Sequence, residues 1–281
     1  MTARRYCVRW LICSLLWGLG ACASLQRTPY DLGVELQDRG ELPAAMEHYK
    51  EELAAHPEHL RARFNLALLY HEQQKYEAAK EHYRRLLQVY PDHARSLVNL
   101  ADIAEAEGQP EEAHRLLLRA VAAEPDRAYP ASFLGRHLQQ QGQLAAAQRA
   151  YEQALAIEDD ALTHYRFGML WLQQAQPEAA REQFTRAIAR HPNHAPSLYQ
   201  LALLAVQQQE TSQAIHYLQR LALLTPRQAE VFLMLGKLHL QQGQYASAAL
   251  YFWEVRDLQP DTPALAPLLH QVYEGLLRQA P

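Results

Sequence analysis

The chain has 281 residues, 49% of them apolar and 21% charged, enough apolar material for a substantial buried core. Its 27 basic side chains stand against 31 acidic ones, a formal charge of −4, and that balance argues against a nucleic-acid partner.

The front of the chain reads as a targeting segment. Arg4, Arg5 and Arg9 form a positive leader without an acidic residue, and Trp10 to Leu19 is an apolar core of signal-peptide length. That core falls short of the roughly 20 apolar residues a membrane-spanning helix needs. Directly after it, Leu19-Gly20-Ala21-Cys22 resembles the lipobox of bacterial lipoproteins. The resemblance implies cleavage of residues 1–21, a diacylglycerol thioether on Cys22 and acylation of the new amino terminus. By the same resemblance Ala23, where inner-membrane lipoproteins carry aspartate, directs the product to the outer membrane, facing the periplasm. Cys7 and Cys13 lie in the leader, so only Cys22 remains and no internal disulfide is expected. An ordinary secretory signal with a chance cysteine at its end is the competing reading. Residues 22–25 make a lipidated end with a short tether. Removing the leader leaves 24 basic against 31 acidic side chains.

From Gln26 onward the sequence repeats. A proline tail appears as His56-Pro57-Glu58-His59 and returns at Pro91, Pro125, Pro192, Pro226 and Pro260, stepping 34 residues wherever neighbouring tails both carry proline. Glu158-Asp159-Asp160 stands in for one tail, in a repeat one residue short. The twentieth place is always alanine, from Ala45 through Ala248, and the eighth is always glycine or alanine, from Gly33 through Gly236. The seventh and twenty-fourth places are large and apolar, as at Leu66 and Tyr83. Small residues let two helix backbones approach and bulky ones fill the remaining space, so each repeat is predicted to be a helix hairpin. Gly40, Gly108, Gly142 and Gly243 mark the turn between its helices. Pro43, Pro110 and Pro177 fall where the second helix starts.

This pattern resembles the tetratricopeptide repeat family. The resemblance implies an all-α, right-handed superhelical solenoid of about seven hairpins: 26–59, 60–93, 94–127, 128–160, 161–194, 195–228 and 229–262. Residues 263–281, with leucines at helical spacing, follow as a C-terminal capping helix or, alternatively, a partner-docking one. Departures fall in the first repeat, where Glu52 replaces a small residue, and in the shortened fourth.

Catalytic motifs are absent: there is no glycine-rich phosphate loop, nucleophile elbow or CxxC pair, and no cofactor is expected. The pairs His56/His59 and His191/His194 lack a third ligand for a metal and are read as solvated turn residues. The family resemblance instead directs attention to the second, fifth, sixth, ninth and twelfth places of each first helix, which line its partner groove. In the front half these hold Arg27, Arg61 and Arg95 as a ladder with Asn65 and Asn99, suited to carboxylates and extended backbone. In the rear half they hold Tyr165, Met169, Tyr199, Leu203 and Met234, an apolar stripe or else residues packed between repeats. The carboxylate clamp of some family members is incomplete here. The expected product is a non-enzymatic, lipid-anchored interaction scaffold. Its partners are proteins of the cell envelope, with no nucleic acid and no small-molecule substrate. Lipobox, short tether and repeat number together resemble pilotin-type lipoproteins of type IV and tight-adherence pilus systems, which assist a secretin. An adaptor for peptidoglycan hydrolases and proteases, or a component of an exopolysaccharide export machine, are the alternatives.

Overall fold

A computed structural model describes residues 27–279, so the leader, Cys22 and the tether lie outside the described residues. Fifteen α-helices make up the described residues, with no strand among them. The chain forms two compact units, and the boundary between them falls within α6 (Pro110–Ala123), at Leu116 and Leu117. The first unit holds α1 (Pro29–Asp38), α2 (Leu42–Ala55), α3 (Leu60–Glu72), α4 (Tyr76–Val89) and α5 (Ala94–Ala106). The second begins with α7 (Ala128–Gln140), α8 (Leu144–Ile157), α9 (Ala161–Gln173) and α10 (Pro177–Arg190). It continues with α11 (Ala195–Gln207), α12 (Thr211–Leu224), α13 (Ala229–Gln241), α14 (Tyr245–Leu258) and α15 (Leu265–Gln279). Within each unit successive helices pack on one another, and the first helices of neighbouring hairpins touch, α3 on α5 and α7 on α9.

The repeated columns are the core. All seven alanines of the twentieth place are fully buried, and so are Tyr49, Tyr83, Tyr151, Phe184, Leu218 and Phe252 one turn later. The glycines of the eighth place make room for those rings. A Cβ on Gly33 would lie 2.6 Å from the Tyr49 ring, one on Gly168 2.5 Å from Phe184, and one on Gly236 2.4 Å from Phe252. Where the ring is replaced by Leu218, the small residue is Ala202 instead. In the second repeat, Ala67 tolerates Tyr83, so the rule is a tendency of the packing and not an identity.

Helix starts are built into the tails. The proline tail ends one helix, and where its last residue is histidine that side chain caps the next, whereas Arg127 and Gln228 make no such bond. The Nδ1 of His59 accepts the Ala62 N–H at 3.1 Å, that of His93 accepts from Ser96 at 3.2 Å, and that of His194 from Ser197 at 3.3 Å. His59 and His194 are thus half-buried N-caps with a structural bond, not solvated bystanders; His56 and His191 are exposed. The short fourth repeat closes without proline. Asp160 caps α9 through the Thr163 N–H at 3.0 Å, and Asp159 accepts from the buried His164 Nε2 at 2.5 Å while pairing with Arg190. Glu52 is buried too, its carboxylate 3.4 Å from the Tyr30 N–H and 3.8 Å from His59 Nε2. The positive end of α1 and a histidine thereby replace the water this carboxylate lost. After α14, the helix α15 buries Leu265 and Val272 and seats Gly275 on the Tyr245 ring.

Candidate partner-binding site

In the first unit a pocket of about 520 Å3 opens at the N-terminal ends of α3 and α5. Tyr30, Leu60, Phe64, Leu86 and Tyr90 form its apolar and aromatic wall, with Asn65 and His93 beside them. The capping histidines pack on two of the rings: Tyr30 lies tilted against His59 at 4.6 Å, and Phe64 meets His93 edge-on at 5.3 Å. Arg61 and Arg95 stand at the rim, both exposed, and neither forms an ion pair among the described residues. No carboxylate lines the pocket.

The structure sorts the sequence-predicted residues. Arg61, Asn65 and Arg95 converge on this pocket. Arg27 does not; its guanidinium pairs with Glu35 of α1 at 2.5 Å. Asn65 and Asn99 first serve the fold, their amides donating to the hydroxyls of the buried Tyr49 at 3.2 Å and Tyr83 at 3.1 Å. Burial pushes both phenols above their ordinary range, and the Tyr49 hydroxyl donates onward to Gln37 at 2.7 Å.

The rear stripe is half-buried. Tyr165 and Met169 pack on the cluster around Phe184, and Tyr199 and Met234 pack on the cluster around Leu218, while Leu203 is half-exposed. What opens to solvent in the second unit is more polar. A pocket of about 720 Å3 is lined by Tyr165, Tyr199, Gln200, Leu221 and Glu230, with the Tyr199 hydroxyl donating to Glu230 at 2.9 Å. These residues stand 135 positions after Tyr30, Phe64, Asn65, Leu86 and Arg95 of the first pocket, four repeats less the missing residue. One register therefore yields a pocket in each unit, with different chemistry.

A third opening, about 440 Å3, was not foreseen from the sequence: Arg136, Gln139, Arg166 and Gln173 surround it beside Tyr151 and Met169. Both guanidiniums lie over the Phe133 ring, at 5.0 and 4.1 Å, and Arg166 donates to the buried Ser132 hydroxyl at 3.0 Å. Arg136 and Arg166 stand at the ninth and sixth places of their first helices, a signal present in the sequence but overshadowed by the apolar stripe. Among the described residues no three histidines, cysteines or carboxylates gather to hold a metal ion. His71 faces Asp102 at 3.3 Å, a structural contact within the first unit.

Family models of the tetratricopeptide repeat match residues 64–126 in one case and residues 30–79, 134–195 and 199–263 in another. The chain belongs to the tetratricopeptide repeat family. Proteins built of these repeats mediate protein–protein interaction, and no catalytic family is indicated for this tetratricopeptide repeat protein. No curated protein matches it in sequence. Among solved structures it is similar to the APC/C hetero-tetramer Cut9–Hcn1, with a TM-score of 0.64 and 18% identity over 89% of this chain. It spans about half of that chain, 49%. It is also similar to PilW, a widely conserved type IV pilus biogenesis factor, with a TM-score of 0.61 and 20% identity over 75% of this chain and 99% of PilW. Pseudomonas aeruginosa PilF gives a TM-score of 0.61 and 21% identity over 79% of this chain and 97% of PilF. At such identities the likeness establishes the repeat fold.

Proposed function

We propose that this tetratricopeptide repeat protein is a non-enzymatic scaffold, lipid-anchored at Cys22 in the outer membrane and facing the periplasm. There it assists assembly of an envelope complex such as a pilus secretin. The observation that carries the reading is a pairing. A basic leader and apolar core end in Leu19-Gly20-Ala21-Cys22, and behind them stands a repeat array onto which two pilus proteins superpose over nearly their whole length. Mechanistically the array holds a partner through its pockets while the lipid fixes that partner beside the bilayer, raising its effective concentration there. Two or more acyl chains make such an anchor stable, since each buried methylene contributes about 0.8 kcal/mol and one chain alone holds poorly.

The test is affinity capture of the detergent-extracted protein beside a Cys22→Ala variant, with partners identified by mass spectrometry and both forms followed by membrane fractionation. The expected outcome is an outer-membrane channel protein recovered with the wild type, and loss of outer-membrane fractionation in the variant. Recovery of cell-wall hydrolases instead of a channel replaces the secretin reading with an adaptor role. Unchanged fractionation of the variant removes the lipid anchor.

A further inference from the structure

We propose that the face formed by α14 and α15 in the second unit is a self-association surface. A second copy of this chain packs its α15 antiparallel against the first about a two-fold axis, closing a dimer. The inference goes beyond the scaffold reading and does not depend on it.

The face is built by what α15 leaves uncovered. This helix runs antiparallel to α14: Gly275 seats on the Tyr245 ring, the Gln279 amide donates to the Gly243 carbonyl at 3.3 Å, and Leu265 and Val272 are buried. Those contacts occupy one side of it. On another side Tyr273 and Leu277, one turn apart, are more than half exposed, and Leu276 is exposed beside them. No other helix among the described residues exposes three large apolar side chains. Two more stand on α14, Leu250 and Trp253, both more than half exposed. The repeat shows what that side of a second helix is for. Gln219, 34 residues before Trp253, reaches the second helix of the next hairpin, its amide 3.5 Å from the Tyr251 hydroxyl. Leu250 stands where the two preceding second helices carry Glu182 and His216. The last hairpin thus turns apolar on the side with which an earlier one receives its successor. Solubility asks a terminal repeat for a polar outer face, whereas Trp253 and Tyr273 are of the types enriched in protein interfaces.

Charge selects the occupant. Glu254, Asp257 and Glu274 are exposed on these two helices against Arg256 and Arg278, a balance that disfavours an anionic lipid surface. The first hairpin exposes no large apolar side chain among the described residues, so a head-to-tail stack of copies has no matching surface. The same face does match. A two-fold contact needs a self-complementary patch, and α15 supplies one. Its apolar side can cover its own copy, and beside that side Glu274 and Arg278 lie one turn apart, both solvent-exposed. Two such helices laid antiparallel bring Arg278 of each toward Glu274 of the other, so opposite charges meet twice. Laid parallel, like charges would face each other.

The test is self-association of the full chain in detergent, read as mass by sedimentation across a dilution series, with a thermal melt of every variant. Wild type should pass from one chain to two and no further. Glu274→Arg and Arg278→Glu each set like charges opposite one another and should each weaken the dimer roughly tenfold, the effect of inverting two exposed ion pairs. Mixed in equal amounts, the two variants complement each other and should pair as wild type does. Leu277→Glu should abolish the dimer with an unchanged melt; should it lower the melt, the charge variants decide alone. Growth beyond two chains, or a mixture that pairs no better than its separate components, overturns the proposal. A wild type that stays a single chain at every concentration also overturns it. In that case the occupant is named by what Leu277→Glu removes: binding of a Cys22→Ala chain to vesicles of phosphatidylglycerol and phosphatidylcholine, or capture of an envelope partner. The scaffold reading stands or falls by partner capture, whichever way the dimer is decided.

Discussion

A glycine at the eighth place of a repeat looks expendable until its neighbour is seen. Gly168 sits under the fully buried ring of Phe184, so a methyl group there must displace a ring that has no free space around it. Gly168→Ala gains helix propensity of roughly 1 kcal/mol but incurs overpacking of roughly 1–3 kcal/mol, and a net loss of up to about 2 kcal/mol is expected. Shrinking the ring relieves the clash, as Ala202 beside Leu218 already illustrates. Urea denaturation of Gly168→Ala, Phe184→Leu and the double variant should show strong coupling between the two changes. Simple additivity of the two losses contradicts the steric account.

At the scale of the element, the hairpin turn recurs with one left-handed residue per repeat. Four of these residues are glycines with φ between 70° and 78°, but the same position is Gln74, Ala175 and Gln209 in three other hairpins, at φ 58°, 55° and 61°. The turn is dictated by bonds such as Gln176 N–H to the Trp171 carbonyl at 2.9 Å, which close the helix whatever side chain is present. An alanine held there carries a steric cost that glycine escapes. Ala175→Gly is expected to stabilise the second unit by roughly 0.5–1 kcal/mol despite the extra chain entropy of glycine. A lower denaturation midpoint would show that α9 and α10 are not limited by this turn.

For the whole molecule, the ionisable groups set a pH profile. His82 in the first unit and His194 in the second are held below their ordinary 6.5, mainly by burial, and then by Arg63 and His191 respectively. A histidine with a depressed folded pKa is protonated more readily in the unfolded chain, so its contribution is complete above pH 6.5 and is lost as the pH falls below that value. Protonation of His194 also removes the acceptor that caps α11. The carboxylates of Asp31 and Asp159 are held below their ordinary 3.8, the first by Thr28 and the second by His164 and Arg190. Their contribution persists to lower pH and is lost as the pH falls through 3.8 and below. Thermal melts should therefore fall in two acid steps, one that begins as the pH drops below about 6.5 and one that begins below about 3.8, and His194→Asn should reduce the first while keeping a cap. A melting temperature flat from pH 7 to 5 would refute the histidine step.

Periodicity made the hairpins legible, because a core that repeats every 34 residues must place the same residue types at the same depth each time. Ala147 and Tyr151 could be assigned to the core from their columns alone, and both are fully buried. The candidate site was less legible. Arg27, Arg61 and Arg95 share one column, yet Arg27 turns to Glu35 while the other two border a common pocket. Nor does the column tell that Asn65 spends its amide on Tyr49, or that His59 and His194 are caps. The sequence by itself determined which residues face the seam of each hairpin, since burial obeys a period that the order of residues already contains. Only the tertiary structure decided which surface side chains meet, because that depends on partners one repeat away and on competing bonds that no single column records.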